Sequence, residues 1–372
     1  MVRRRRFVAL GILILCAAAI SSMVAALAGG TSEPRGIAAA VQQHEKASLF
    51  PKRPKEIRGV HVTMSLVSAG KLGQYVRMRR QGLNTVEVDV KDESGQVAFK
   101  TPSIPLARRI GAAQSYYDPY EVARQAHEKH VYLIGRIVVF QDPILSERMP
   151  GYALKNPDGS VWHTSAGLGW VNMYDTRVWK YVTDVGLAAA KAGFDEVQFD
   201  YMRFPSDGDV WNIGYPRKVS EKKGETIGRF ARYAAKRLHG AGALVGADLF
   251  GLAAHGNLGI GQVPHKIGRY VDTVYPMAYP SHYTPGEYDI PNPDAAPGPT
   301  VFNTLKDFRR SMRGRKAVLV PWLQDFSLGR TYTFADVKAQ VDASRNMSTA
   351  GFLLWNPEGN YTKNALRPLR GY

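Results

Sequence analysis

Residues 195–204 read DEVQFDYMRF. Side chains alternate faces along a strand, so Val197 and Phe199 share one face while Gln198 and Asp200 share the other. The apolar face belongs against covering helices. The polar face, with Asp200 near its C-terminal end, then points to the opposite side. TVEVDVK (85–91) repeats the pattern, with Val86, Val88 and Val90 opposing Thr85, Glu87, Asp89 and Lys91. In LVGADLFG (244–251), Val245, Ala247 and Leu249 oppose Gly246, Asp248 and Phe250. In VYLIGRIVVF (131–140) the same count sends Arg136 inward and Ile137 and Val139 outward.

Four more β-branched runs complete the set: RGVHVTM (58–64), VDTVYPMAY (271–279), AVLVPWLQDF (317–326) and GFLLWNP (351–357). Amphipathic stretches separate and follow them, near 69–81, 118–129, 177–192, 221–240, 262–269, 300–313, 333–346 and 364–369. Eight strands, each followed by a helix, predict a closed (β/α)8 TIM barrel of one domain over residues 58–372. The 372-residue length does not oppose this, because such barrels routinely exceed 250 residues. The long interruptions at 92–117, 141–176, 205–220 and 280–299 all follow strands. Loops after strands build the functional face of this fold, so their length suits a cleft for a large ligand.

The N-terminus carries Arg3 to Arg6 and then an apolar run from Phe7 to about Leu27, ending in Ala26-Leu27-Ala28. Residues 1–28 therefore read as a signal peptide or an uncleaved membrane anchor, and 29–57 as a linker. Either reading places the domain outside the cytoplasm, secreted or held on the outer side of the membrane. A lipidated Cys16 is disfavoured, since Leu15 stands where a small residue is wanted. Cys16 is the one cysteine, so no disulfide framework supports the fold. Formal charge is +17, and subtracting the four arginines within residues 1–28 leaves +13. Such a balance suits an anionic wall polymer or membrane surface. Nucleic acid is not expected as a partner, because no recognisable nucleic-acid-binding motif accompanies the charge.

Barrel interiors are ordinarily filled with branched apolar residues, yet here several strands send charge inward. Buried unpaired charge is costly, so an ion network of Lys91 and Arg136 with Glu87 and Asp89 is one expectation. Asp200 and Asp248 stand apart because each ends its strand on the functional side. Glycosidic bonds are cut by two carboxyl groups, ~5–5.5 Å apart for retention and ~6.5–9.5 Å for inversion. Neighbouring strands lie ~4.8 Å apart, so this pair permits either outcome. Arg203, close in sequence, favours the ionised carboxylate that a nucleophile at Asp200 needs, and the apolar neighbours Leu249 and Phe250 suit a protonated Asp248. Tyr201, Tyr275, Tyr279, Tyr283, Trp322 and Trp355 fall at or beyond strand ends, where aromatic rings can carry sugar faces, Tyr279 and Trp355 foremost. Asp89, Lys91, Arg136, Tyr201, Arg203, His282, Gln324, Asp325 and Asn356 join them as expected substrate-binding groups; Glu358 occupies the same rim. No P-loop, strand-borne GxGxxG, HExxH or GxSxG is present, and His255, His265 and His282 lack metal-ligand spacing. No cofactor or metal is expected. His61, early in the first strand, reads as structural.

RGVHVT (58–63), NTVEVDVKDESGQV (84–97), FDEVQFDYMRFPSDG (194–208), GADLFG (246–251), YPMAYPSHY (275–283), WLQDF (322–326) and GFLLWNPEGNY (351–361) resemble a family of bacterial glycosyl hydrolase-type barrel domains of uncharacterised function. These are distant relatives of α-amylase-like barrels. The resemblance implies a TIM barrel, a carbohydrate substrate, and Asp200 at the fourth-strand nucleophile position. The fifth-strand acid of the α-amylase-like enzymes is usually Glu, whereas Asp248 stands here.

The reading is an exported glycoside hydrolase acting on an envelope or extracellular polysaccharide, with Asp200 as nucleophile and Asp248 as acid/base. The alternative is a polysaccharide-binding barrel without catalysis.

Overall fold

A computed structural model describes residues 52–217 and 220–369. The leader or anchor expected over residues 1–28 lies outside the described residues. Nine parallel strand segments close on themselves: β1 (Ile57–Val62), β2 (Thr85–Lys91), β3 (Tyr132–Val138), β4 (Glu196–Asp200), β5 (Leu244–Phe250), β6 (Thr273–Ala278), β7 (Val318–Leu319), β8 (Trp322–Gln324) and β9 (Gly351–Trp355). β1 pairs with β9 and β5 with β6, which removes every free edge. β7 and β8 are two pieces of one stave, since β6 pairs with Val318 and Leu319 and then with Trp322 and Leu323. Pro321 interrupts the stave because it has no N–H to donate to the ladder. The expected eight-stave (β/α)8 barrel is the fold.

The main covering helices are α1 (Leu72–Arg77), α2 (Pro119–His127), α3 (Thr176–Ala192), α4 (Lys223–His239), α5 (Pro264–Ile267), α6 (Pro297–Ser311) and α7 (Phe334–Asn346). Their ends follow local chemistry. The Asp118 and Asp175 carboxylates accept from backbone amides at the starts of α2 and α3, and Thr333 with Asp336 forms a capping box on α7. α3 stops at Gly193, whose φ of 107° is costly for any other residue. A helix expected over 364–369 is absent: residues 363–366 form turns and 367–369 are irregular, with Asn364 at φ 69° and Pro368 close behind. β1 and β9 meet so closely that a Cβ on Gly351 would lie 2.1 Å from the Ile57 carbonyl.

Two apolar clusters follow from the alternation. Val86, Val88, Val90, Ile137, Val197, Phe199 and Val245 pack outward against the helices in the larger one. The smaller fills the barrel interior with Ile57, Tyr132, Ile134, Leu244, Tyr275, Val320, Trp322 and Leu353. Tyr275 thus sits inside the barrel rather than at its mouth, donating to Glu196 at 2.8 Å, while Tyr132 donates to the other oxygen at 2.9 Å. The position is set by its place in mid-β6, three residues before the strand ends at Ala278.

One inward assignment fails. The β2–β3 register slips between Asp89 and Lys91, so that Lys91 sits beside Ile137 instead of an inward residue. A one-residue bulge turns a side chain to the other face. Lys91 therefore lies under the helical shell, fully buried, with its ammonium 3.1 Å from Asp142 and 2.9 Å from the Val138 carbonyl.

Candidate active site

The C-terminal ends of the staves surround a cavity of about 590 Å³, lined by carboxylates, arginines and aromatic rings. Its floor is organised by Arg136, an inward residue of β3. The guanidinium donates to Asp200 Oδ2 from Nη2 at 2.7 Å and from Nε at 3.1 Å, and to Asp89 Oδ1 at 2.8 Å. It also binds Glu93, in the loop after β2, and passes 3.9 Å from Glu87. The second oxygen of Asp200 accepts from the Tyr201 amide at 2.6 Å. Asp200 is therefore a cleft-lining carboxylate held as an ion pair. Its cation is Arg136, across the strand; Arg203, expected in that role, is not within 4.0 Å of any described carboxylate.

His61, inward on β1, sits between Glu87 and Asp89, hydrogen-bonded to the first and 3.5 Å from the second. Burial works against its charge, but these two carboxylates outweigh it and raise its pKa. Burial likewise opposes ionisation of Glu93, and Arg136 reverses the effect, bringing its pKa down to about 2.

Asp248, one stave beyond Asp200, differs in every respect. It is 1% exposed. Its Oδ1 accepts from Trp322 Nε1 at 2.8 Å and from Gln198 Nε2 at 2.5 Å, while Oδ2 is buried with no partner among the described residues. Burial first, and then the negative charges of Asp200 and Glu87, push its carboxyl well above the usual carboxylate range. This setting favours the protonated form of the carboxyl. It lies beneath the cavity wall, with Trp322 as the lining residue above it.

Of the expected binding residues, Arg136, Tyr201, Arg203, Tyr279, His282 and Trp355 line the cavity, and Asp89 supports it through Arg136. Lys91, Gln324, Asp325 and Asn356 do not. Gln324 accepts from the Ser281 amide and donates to the Phe326 carbonyl, bridging two loops. Asp325 accepts from both the amide and the hydroxyl of Thr362, and Asn356 donates to the Asp325 carbonyl and accepts from the Glu358 and Asn360 amides. Polar residues at strand ends are used here to tie down the adjoining turns. Burial, partly offset by Thr362, pushes Asp325 up to about 6.

Glu93 is the lining residue that sequence reasoning missed, and His61, read as structural, is buried beneath the cleft between two of its carboxylates. Glu93 stands two positions past β2 in KDESG, and its signal was its place at a strand's C-terminal end. The signal for His61 was its parity with Glu87, which lies directly across from it in the β1–β2 register.

Fold and cleft together define a glycoside hydrolase-like TIM barrel. The chain belongs to the family described as "Putative glycosyl hydrolase domain" (DUF4015), which matches residues 59–361. Among solved structures, it is similar to the PgaB (BpsB) glycoside hydrolase domain from Bordetella bronchiseptica. There the TM-score is 0.58 at 15% identity, over 81% of this chain and 94% of that one. It is also similar to the catalytic domain of β-amylase from Paenibacillus polymyxa, with TM-score 0.52, 10% identity, and 85% and 96% coverage. A hypothetical protein from Ruminiclostridium thermocellum shares 34% identity over 51% of this chain and 96% of its own, with TM-score 0.47. No protein of curated function matches the chain.

Proposed function

We propose that this protein is an exported glycoside hydrolase that cuts an envelope or extracellular polysaccharide, with Asp200 as nucleophile and Asp248 as acid/base. The observation that carries this reading is the contrast between the two carboxyl groups on adjacent staves. Asp200 is paired with a guanidinium and faces the cavity, whereas Asp248 is desolvated in a setting that favours its protonated form. Two carboxyls in such unlike settings, one ion-paired and one desolvated, suit the nucleophile and the acid of a hydrolase. In this mechanism Asp200 attacks the anomeric carbon as the glycosidic bond breaks, and the Asp248 proton passes to the departing sugar oxygen once the Trp322 indole covering it moves aside. Trp355 and Tyr279 supply the aromatic walls for the sugar ring.

Burial of the Asp248 carboxyl beneath Trp322 favours a second reading, a barrel that binds polysaccharide without cutting it. One experiment separates them. The full chain is incubated with a panel of envelope and storage polysaccharides, and reducing ends are counted for wild type and Asp200→Asn. Release by wild type and none by the variant supports hydrolysis; saturable binding with no release by either supports the binding barrel. Export rests on Arg3 to Arg6 and the apolar run behind them, and full-length chain found in the cytoplasmic fraction would contradict it. The +17 charge supports retention on an anionic wall polymer or membrane face, measurable as salt-sensitive co-sedimentation.

A further inference from the structure

The cavity wall holds a second guanidinium whose environment is the reverse of Arg136. Arg203 is 6% exposed and lines the cavity. Its carbon lies 5.0 Å from the ring centre of Trp170, 5.1 Å from Tyr201 and 4.6 Å from Phe250. One terminal nitrogen, Nη1, donates to the Phe204 carbonyl at 3.0 Å and to the Ser206 hydroxyl at 3.2 Å. No described residue accepts from Nε or Nη2, and no described carboxylate comes within 4.0 Å. Arg136, by contrast, is surrounded by Glu87, Asp89, Glu93 and Asp200. The protein has carboxylates to spare at this end of the barrel, and none is given to Arg203.

A cation this deep is normally matched with a counter-charge. Ring faces supply part of the missing stabilisation, and the residue lines the cavity with Nε and Nη2 matched by no described acceptor. Backbone geometry holds the group there: Tyr201, between Asp200 and Arg203, has φ 51°, a left-handed conformation that a tyrosine adopts at a cost. That kink ends β4, lets Asp200 accept from the Tyr201 amide, and turns Arg203 back to the cavity wall. Burial lowers the Arg203 pKa, against the raising influence of Tyr201, Asp200 and Asp207, in keeping with a cation short of partners.

We propose that Arg203 is the specificity residue of a subsite for an acidic sugar, its free guanidinium edge receiving a carboxylate on the ring. A planar fork with two adjacent N–H donors matches a carboxylate in two parallel hydrogen bonds. The proposal rests on the sugar-binding reading of the cleft, not on its catalytic half. Polysaccharide whose repeating unit carries a uronic acid is the substrate class it names.

The test compares oligogalacturonate with its methyl ester, which keeps the ring and removes the charge, by calorimetry on the full-length chain. Wild type should bind the free acid about tenfold or more tightly than the ester, as a desolvated charge-assisted pair requires. Arg203→Met keeps the apolar stem among the rings and should reduce that preference to less than about twofold, and Arg203→Lys should keep part of it. Equal affinity of wild type for acid and ester, no binding of either, or a preference that survives Arg203→Met would each overturn the proposal. If Arg203→Met fails to fold, the wild-type comparison still decides. Glucose 6-phosphate or 6-sulfate binding more tightly than glucuronate would replace the carboxylate by a phosphate or sulfate ester and overturn the uronic acid assignment. Acid-selective binding without release of reducing ends would keep this subsite and remove hydrolysis. Cleavage of neutral polysaccharides with no acid preference would do the reverse.

Discussion

Arg136 grips Asp200 through two nitrogens, at 2.7 and 3.1 Å, and reaches Asp89 at 2.8 Å with a third. One guanidinium therefore both positions the proposed nucleophile and neutralises the floor beneath it. The two sides of this ion pair are not equivalent, because Arg136 has other partners while Asp200 has no other cation within 4.0 Å among the described residues.

Asp200→Asn removes one carboxylate from a cluster that keeps Glu87, Asp89 and Glu93 around the same guanidinium. No buried cation is left unpaired. Stability should stay within ~1 kcal/mol of wild type or rise, the usual direction when a functional charge is deleted. Sugar release on any polysaccharide that wild type degrades should vanish. A folded variant with near wild-type turnover would take Asp200 out of the mechanism.

Arg136→Met does the opposite and leaves several buried carboxylates facing one another. The expected loss is ~3–5 kcal/mol in urea denaturation at neutral pH. A loss below ~1 kcal/mol would mean that the acids are solvated or protonated, and that Arg136 is not their organiser.

Asp248 gives a pH signature of definite sign. Its folded pKa is raised far above the unfolded value of ~3.9. Between those values the folded chain holds a proton that the unfolded chain has released. The resulting stabilisation is complete below pH ~3.9 and is lost as pH rises toward the folded pKa. Asp248→Asn cannot titrate, so its melting temperature relative to wild type should be more favourable at pH 8 than at pH 4. Parallel curves for the two proteins would contradict a proton held at this site.

Lys91→Met tests the bulge in β2. Removing the ammonium leaves Asp142, a fully buried carboxylate, without its cation, at a cost of ~3–5 kcal/mol near neutrality. Burial already raises the Asp142 pKa, Lys91 opposing it, so the loss should shrink at low pH, where the carboxyl takes up a proton. Because Lys91 is outside the cavity, turnover per folded molecule should be unaffected. A selective loss of activity without loss of stability would return Lys91 to the cleft.

Alternation made most of this architecture readable from residues alone. Val197 and Phe199 against Gln198 and Asp200 is a pattern that suits a strand between helices and a polar interior, three other runs repeat the alternation, and four more β-branched runs complete the set. What stayed hidden depended on events that alternation does not encode. A single-residue slip in register moved Lys91 to the other side of the sheet. Residues 317–326 read as one continuous strand, and the break that Pro321 makes between Leu319 and Trp322 was not read from alternation. At the site, strand-end polar residues have two competing uses, facing the ligand or fastening a turn. Asp325 and Asn356 took the second because Thr362 and the amides of 358 and 360 come back to meet them from a segment that reads as featureless. Glu93 went unnoticed for the complementary reason: its role is assigned by Arg136, a residue 43 positions away in sequence.

Trp355 lies on the cavity wall with the His61 imidazole 4.3 Å from its ring centre and the Arg136 guanidinium at 5.5 Å. That stacking gives the cleft a built-in optical probe. A protonated imidazole against an indole drains its excited state, so the emission of this one tryptophan, isolated as the difference between wild type and Trp355→Phe, should be dim while His61 carries charge and brighten as that charge is titrated away. A sugar laid on the open face would expel water and shift the same emission to shorter wavelength. Ligands could then be ranked in solution without label or turnover, whether or not the cleft cuts a bond.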